Sequence, residues 1–359
     1  MSWSLKFGKI CGINFRIHIT FVMFLVFIFV SSYLAKGMAQ AISVTLFISG
    51  IFVCVLIHEV AHSLIARKFG KIAKSIIILP IGGVSSLDEM PEKPYQEIAV
   101  AIVGPFINLA IALLIYPFVT GWNGLRTPEL YPMSVNSYFV SMINVNIILA
   151  IFNMIPAFPM DGGRVLRGLF GMVMDYIRAT ELAVAIGQGL SVFFIFYGIF
   201  FNWWLALIGF FLYVGAGTER QQVIIKSVLE PIPVSEVMVT DFFALDPSDP
   251  VSKPIEHIYH GYQEDFPVIK NNHVEGLLTR KNILSGIHEK GTNVEVSQLM
   301  EKQFDPVSPS TPADEVYRQL ARSQRSVTVV VENGGIKGMV SLEGLSNYLL
   351  IQLAMNGIR

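Results

Sequence analysis

Six stretches, near residues 18–35, 42–66, 97–118, 137–154, 181–200 and 202–217, are apolar for about the length that carries an α-helix across a bilayer. Hydrocarbon offers no partner to a backbone N–H or C=O, so such stretches must fold as helices that satisfy their own hydrogen bonds. Composition points the same way and away from a soluble domain: 53% of the 359 residues are hydrophobic, 26 are Phe, and only 15% are charged. From about Glu219 onward the apolar runs stop, and charge, proline and amphipathic alternation take over. The chain is expected to hold a multi-pass α-helical membrane domain over 1–222, a linker over 223–233, and two further units over 234–290 and 296–353. A net charge of −1 gives no reason to expect a nucleic-acid partner, and the two cysteines, Cys11 and Cys54, make no disulfide framework. The first stretch is longer than the apolar core of a signal peptide, so it is expected to be retained despite a MAQA sequence after it that loosely resembles a cleavage site.

Orientation follows from the basic residues. Lys6, Lys9, Arg16, Arg67, Lys68, Lys71, Lys74, Lys93, Arg164, Arg167, Arg178, Arg220 and Lys226 flank the stretches on the side of the N-terminus, against Lys36 and Arg126 on the other. This bias predicts a multi-pass protein of the cell membrane with both termini in the cytoplasm. Between the second and third stretches, 71-KIAKSIIILPIGGVSSLDEMPEKP-94 holds a β-branched run too short to cross a bilayer, followed by Pro-x-Gly-Gly. It reads as a strand or hairpin at or in the membrane face, where irregular backbone must be shielded by protein or line a wet cavity. A greasy surface loop is the simpler alternative.

The second stretch contains 58-HEVAH-62. An ionisable side chain at the centre of a membrane helix costs roughly 2.5–3.5 kcal/mol on insertion scales, so three within five residues need a strong compensating interaction. His58 and His62, four apart, share a helix face and can close on one metal ion, with Glu59 placed to work on a water there. A polar patch at a helix–helix interface would explain the same residues without a metal. Two protein ligands are too few for a catalytic zinc, which usually has three. Asp161, in 153-NMIPAFPMDGGRVLRGL-169, is the candidate third: Pro156 and Pro159 forbid regular helix and Gly162-Gly163 permits a tight turn, at a depth matching HEVAH. An ordinary membrane-exit loop with an Asp-Gly turn is the competing reading. In the third stretch, Pro105 removes a backbone hydrogen bond and Asn108 places an amide in lipid, either for helix packing or to face a cavity. Cys54, one turn before His58, is expected to be an ordinary buried cysteine, and His257 and His260 to lie on a solvated helix face.

HEVAH, Gly82-Gly83, Gly104-Pro105-Phe106-Ile107-Asn108 and Asp161-Gly162 together, in this order, resemble the site-2 protease family of intramembrane zinc metalloproteases. The resemblance implies that His58, His62 and Asp161 bind one Zn2+ per subunit and that Glu59 is the general base acting on a zinc-activated water. It implies that Asn108 holds the scissile carbonyl or its oxyanion. It further implies a membrane-inserted sheet presenting an edge near 76–84, a lateral gate at the fifth and sixth stretches, and a transmembrane protein in the lipid bilayer as substrate.

After Glu219 an internal repeat organises the chain. Aligning 234-VSEVM-238 with 296-VSQLM-300 gives an offset of 62, which also pairs Pro247 with Pro309, Pro250 with Pro312, Gly276 with Gly338, and Thr279 with Ser341. Each unit is expected to hold a short entry, a turn with Pro, an amphipathic helix, two strands and a second helix. The pattern resembles an α/β tandem pair of CBS domains, as in the archaeal and bacterial branch of the protease family. That resemblance implies an adenine nucleotide in the clefts, with an Asp after Gly-x-x-Thr/Ser on the ribose. Here Asn282 and Gly344 occupy the acidic positions, so nucleotide binding and a purely structural or homodimer-forming role both stay open. A CBS-regulated ion transporter is the alternative to the protease, because a His/Asp cluster at membrane depth also marks ion paths. Glu59 separates the two, since a transporter has no need of a carboxylate beside the first histidine.

Overall fold

The computed structural model describes residues 4–10, 12–71, 73–80, 82–87, 93–120, 124, 128, 134–260, 263–271 and 273–355. Cys11, Arg126 and residues 88–92 of the expected hairpin segment lie outside them. The chain divides into two units, Met1–Gln221 and Gln222–Arg359.

The first unit runs β1 (Ser4–Ile10), β2 (Ile13–His18), α1 (Ile19–Lys36), α2 (Met38–Lys68), β3 (Ala73–Leu79), β4 (Gly82–Leu87), α3 (Pro94–Ile115), α4 (Val135–Asn153), α5 (Asp161–Gly171), α6 (Tyr176–Phe201) and α7 (Trp203–Leu229). Among the described residues, α1, α2, α3 with its extension to Phe118, α4 and α6 are long and apolar enough to cross a membrane. The sixth expected stretch falls on α7, where the apolar first half gives way at Thr218-Glu219-Arg220 to a charged second half. Large apolar side chains such as Phe27, Leu113 and Phe200 stand on the outside of these helices rather than in a single inward stripe, the pattern of helices solvated by lipid. Gly37, at φ 85°, makes the sharp turn between α1 and α2 in a backbone conformation that a side chain would strain.

The four strands form one sheet in the order β1-β2-β3-β4, with β2 and β3 parallel and the other pairs antiparallel. The expected hairpin is β3–β4, with Ile77 opposite Val84 and Ile78 opposite Gly83. The sequence reading did not foresee β1 and β2. Of the edge expected near 76–84, Ile76–Leu79 lie on an inner strand, whereas Gly82-Gly83 begin β4, an outer strand of the sheet among the described residues. Ile13, Phe15 and Ile76 form a buried cluster against Leu56 and Val60 of α2. The sheet therefore covers one side of α2 and leaves the side of His58 and His62 to other helices.

The second unit contains α8 (Ile255–Tyr259), β5 (Phe266–Lys270), β6 (His273–Leu278), α9 (Arg280–Lys290), α10 (Ala313–Ser323), β7 (Val327–Glu332), β8 (Gly335–Ser341) and α11 (Leu342–Met355). Its contacts obey the 62-residue offset. The bridge Val239–Met339 maps onto Glu301–Leu277, since 239 + 62 = 301 and 277 + 62 = 339, and Leu245–Val268 maps onto Val307–Val330 in the same way. The cores correspond too: Leu245, Val251, Val268, Leu278 and Ile283 in one, Val307, Ala313, Val330, Val340 and Leu345 in the other. The entry segments are exchanged, however. Val234 packs into the core of the second repeat and Val296 into that of the first, with Val234 N–H donating to Thr311 O and Val296 N–H to Asp249 O at 2.9 Å each.

Candidate metal centre

α2 brings His58 and His62 to one face, their rings 4.6 Å apart between centroids, and α5 brings Asp161 to meet them. His58 Nε2 and His62 Nε2 lie 3.3 and 3.2 Å from the same Asp161 oxygen, Oδ2, and 3.0 Å from each other. His58 stands ten residues before the last residue of α2, about 15 Å along the helix axis. All three side chains are nearly or fully buried.

The outer hydrogen bonds decide which ring nitrogens carry protons. His62 Nδ1 lies 2.7 Å from the carbonyl oxygen of Val100, which can only accept, so Nδ1 carries a proton and Nε2 of the neutral ring presents a lone pair. His58 Nδ1 lies 2.5 Å from Asn108 Oδ1, with the same consequence. Two imidazole lone pairs and a carboxylate oxygen thus converge, and Asp161 Oδ2 is buried with no hydrogen-bond donor. A single shared proton would satisfy one of the three contacts; a divalent cation satisfies all of them. Tetrahedral Zn–N and Zn–O distances near 2.0–2.1 Å put neighbouring ligands about 3.3 Å apart, close to the spacing found, so these residues fit zinc.

One face of α3 arranges the rest. Glu97, Val100, Gly104 and Asn108 recur at helical spacing, and each acts on the cluster. Val100 O and Asn108 Oδ1 orient the two rings. At Gly104 a Cβ would collide with His62 Nε2 and come within 2.5 Å of His58 Cε1, so only glycine leaves room for the histidines. Glu97 reaches the helix of the third ligand: its Oε1 accepts from Arg167 Nε at 2.8 Å and Nη2 at 2.5 Å, while Arg167 Nη1 donates to Glu219 Oε1 of α7 at 3.0 Å. Arg167, tallied by sequence among the flanking charges, is 1% exposed and also lies over the rings of Phe158 and Tyr176.

Asp161 departs from the expected turn. It is the first residue of α5, and Gly162 and Gly163 are helical. These glycines serve close approach instead: a Cβ on Gly162 would meet the Ile155 and Met154 carbonyls, and one on Gly163 would stand 2.6 Å from Phe158 N. The irregular segment with its prolines, 154–160, therefore folds back tightly on the start of α5 and aims the carboxylate. Glu59, between the histidines, is half-buried and within electrostatic range of both histidines, Asp161 and Arg164. Asn108 is fully buried, and both ends of its amide are engaged, Oδ1 with His58 and Nδ2 with Asn146 Oδ1 at 2.9 Å. Asn146 and the Val100 carbonyl were not anticipated. An Asn in an apolar stretch was a readable signal for the first; a backbone carbonyl leaves none in sequence.

Cys54 is buried beside the cluster and accepts from Asn146 Nδ2 at 3.4 Å. His257 stacks on Phe243, and His260 pairs with the Glu256 carbonyl; neither joins a metal-binding group among the described residues. In the second unit Asn282 Nδ2 donates to Leu299 O and Glu301 Oε1, and Gly344 N–H to Ser341 Oγ.

Comparison with known proteins places these features. Peptidase family M50 is matched over residues 46–124 and 126–196, and the CBS domain over 234–289 and 296–351. A zinc metalloprotease of Methanocaldococcus jannaschii is 32% identical over 349 residues, covering 95% of this chain and 94% of its own. A candidate zinc metalloprotease of Synechocystis sp. is 27% identical, covering 79% of this chain and 77% of its own. The solved site-2 protease of Methanocaldococcus jannaschii is 32% identical, covers 61% of this chain and 95% of its own, and superposes with a TM-score of 0.43. These relatives do not favour the transporter alternative. The chain accordingly belongs to peptidase family M50, the site-2 protease family of membrane zinc metalloproteases, in the branch that carries a CBS pair.

Proposed function

We propose that the protein is an intramembrane endopeptidase that hydrolyses a peptide bond within or near a transmembrane helix of another membrane protein. The convergence of the two Nε2 lone pairs and Asp161 Oδ2, buried inside an apolar helix bundle, carries this reading. His58, His62 and Asp161 hold zinc, which when bound supplies Lewis acidity toward a water molecule and a peptide carbonyl. Glu59 takes the proton from the attacking water and returns it to the leaving amine. Asn108 holds His58 in register; a further part in steadying the oxyanion requires its Nδ2 to leave Asn146.

A substrate helix must unwind before its peptide bonds are reachable, because its carbonyls are hydrogen-bonded along the axis. The free edge of β4, which packs beside α2, suits capture of the unwound strand by β-addition. In this reading the sheet dips into the membrane, α7 supplies the sixth span, and the flanking basic residues keep both termini cytoplasmic. The CBS pair modulates access, and its two open roles, an adenine-nucleotide sensor or a structural, homodimer-forming module, separate on nucleotide binding.

Glu59→Gln is expected to retain zinc and abolish cleavage of a reconstituted transmembrane substrate; unaltered cleavage overturns the mechanism. Calorimetric titration of the full chain with ATP, ADP and AMP separates the two roles: saturable heat for at least one of them supports nucleotide sensing. Its absence for all three removes nucleotide sensing and leaves the pair a structural role.

A further inference from the structure

The orientation of His58 traces back beyond Asn108 to a residue on a different helix. Asn146 of α4 is fully buried, and its Nδ2 lies 2.9 Å from the Met142 backbone carbonyl and 3.4 Å from Cys54 Sγ. A backbone carbonyl cannot donate, so the amide group facing Met142 must be the nitrogen, and Oδ1 must face Asn108. Only a donor can meet that oxygen at 2.9 Å, so Asn108 presents Nδ2 to Asn146 and is left with Oδ1 toward His58. His58 Nδ1 must then carry a proton, and in the neutral ring Nε2 is left bare toward His62 and Asp161. One carbonyl of α4 thereby sets the direction of every bond in the chain.

We propose that Asn146 is a positioning residue for His58: acting through Asn108, it fixes the imidazole as the Nδ1–H tautomer and keeps the Nε2 lone pair available to the metal. This rests on the zinc reading above. Without Asn146 the Asn108 amide is free to rotate and offer its Nδ2 to His58 Nδ1. The imidazole then answers with an Nε2–H at the ligand position, and that proton must be displaced before a metal can bind.

The logic predicts a specific rescue. An ionised Asp at position 108 has only acceptors, so either oxygen demands an N–H from His58 whatever stands at position 146. Zinc affinity measured by chelator competition on the purified full chain is expected to fall about 10- to 100-fold in Asn146→Ala, the range for partners that orient a ligand. Asn108→Asp combined with Asn146→Ala is expected to recover most of that loss. Nitrogen-15 imidazole shifts of the zinc-loaded wild type supply a readout independent of the variants' folding, with His58 expected as Nδ1–H and Nε2-coordinated. Wild-type protein that takes up no zinc overturns both the zinc reading and this one. Zinc uptake with unchanged affinity in Asn146→Ala, equal losses in the single and double variants, or coordination of His58 through Nδ1 overturns this one alone.

Discussion

The two units put buried polarity to opposite uses. In the membrane unit the buried polar and charged residues include His58, His62, Glu97, Asn108, Asn144, Asn146, Asp161 and Arg167, whereas in the CBS unit the fully buried ones among the described residues are Asp314 and Thr328. The CBS unit faces water and hides paired apolar cores, so its stability follows from burial of Leu, Val and Ile at repeat-related positions. The membrane unit presents apolar side chains outward to lipid and gains no comparable drive from burying more of them inside. Its interior is held in part by hydrogen bonds and ion pairs, and many of these lie around the His58, His62 and Asp161 cluster. In the membrane unit, groups that hold the interior together thus also surround the three candidate ligands.

The contrast can be broken at three points. Its most severe test is Asp161→Ala, which removes a ligand rather than a ligand's partner; bound zinc is expected to fall by more than the roughly 100-fold upper range for outer partners, and full occupancy by elemental analysis would take Asp161 out of the site. Next comes Arg167→Met, which leaves Glu97 buried and unpaired. A loss of about 3–5 kcal/mol is expected in unfolding titrations in mixed micelles, and adding Glu97→Met should return part of it. An unchanged midpoint for Arg167→Met would mean that buried polarity in the membrane unit serves chemistry alone. The smallest effects are expected in the CBS unit. A Cβ on Gly276 would lie 2.8 Å from Glu301 O and 3.0 Å from Met300 Sδ; one on Gly338 meets Val239 O and Met238 Sδ at the same two distances. Gly276→Ala and Gly338→Ala should each cost about 1–3 kcal/mol by overpacking and match within about 0.5 kcal/mol, read by thermal unfolding of the full chain. Unequal losses would show that the repeat is symmetric in sequence but not in energy.

What could be read in advance follows the same division. Hydropathy marks the membrane helices because lipid imposes one requirement on every residue of a span. HEVAH stands out because three ionisable groups violate that requirement together. The repeat foretells the CBS pairings, since residues 62 apart occupy like surroundings. It does not foretell the exchange of Val234 and Val296 between cores, because a residue's type does not say which of two equivalent partners it packs against. β1 and β2 escaped notice because each is short; Gly8 interrupts β1, whereas the alternation Ile13-Asn14-Phe15-Arg16-Ile17-His18 of β2 was a readable signal passed over beside the long apolar stretch that follows it. The pairing of Arg167 was not legible, because a charge near a helix end looks the same in sequence whether it snorkels to water or pairs in the interior. Asp161 was located correctly but given a turn, since a Gly-Gly pair signals backbone freedom and close packing alike.

The single face of α3 has a mechanical corollary. Because Glu97, Val100, Gly104 and Asn108 belong to one helix, an axial displacement of that helix cannot disturb one ligand and spare the others. An axial slip carries the Val100 carbonyl, the Asn108 amide and the Glu97 anchor of the Asp161 helix in the same direction, so errors in ligand placement are correlated. The site therefore acts as an alignment gauge for axial position: a slip of α3 shifts the supports of all three ligands together.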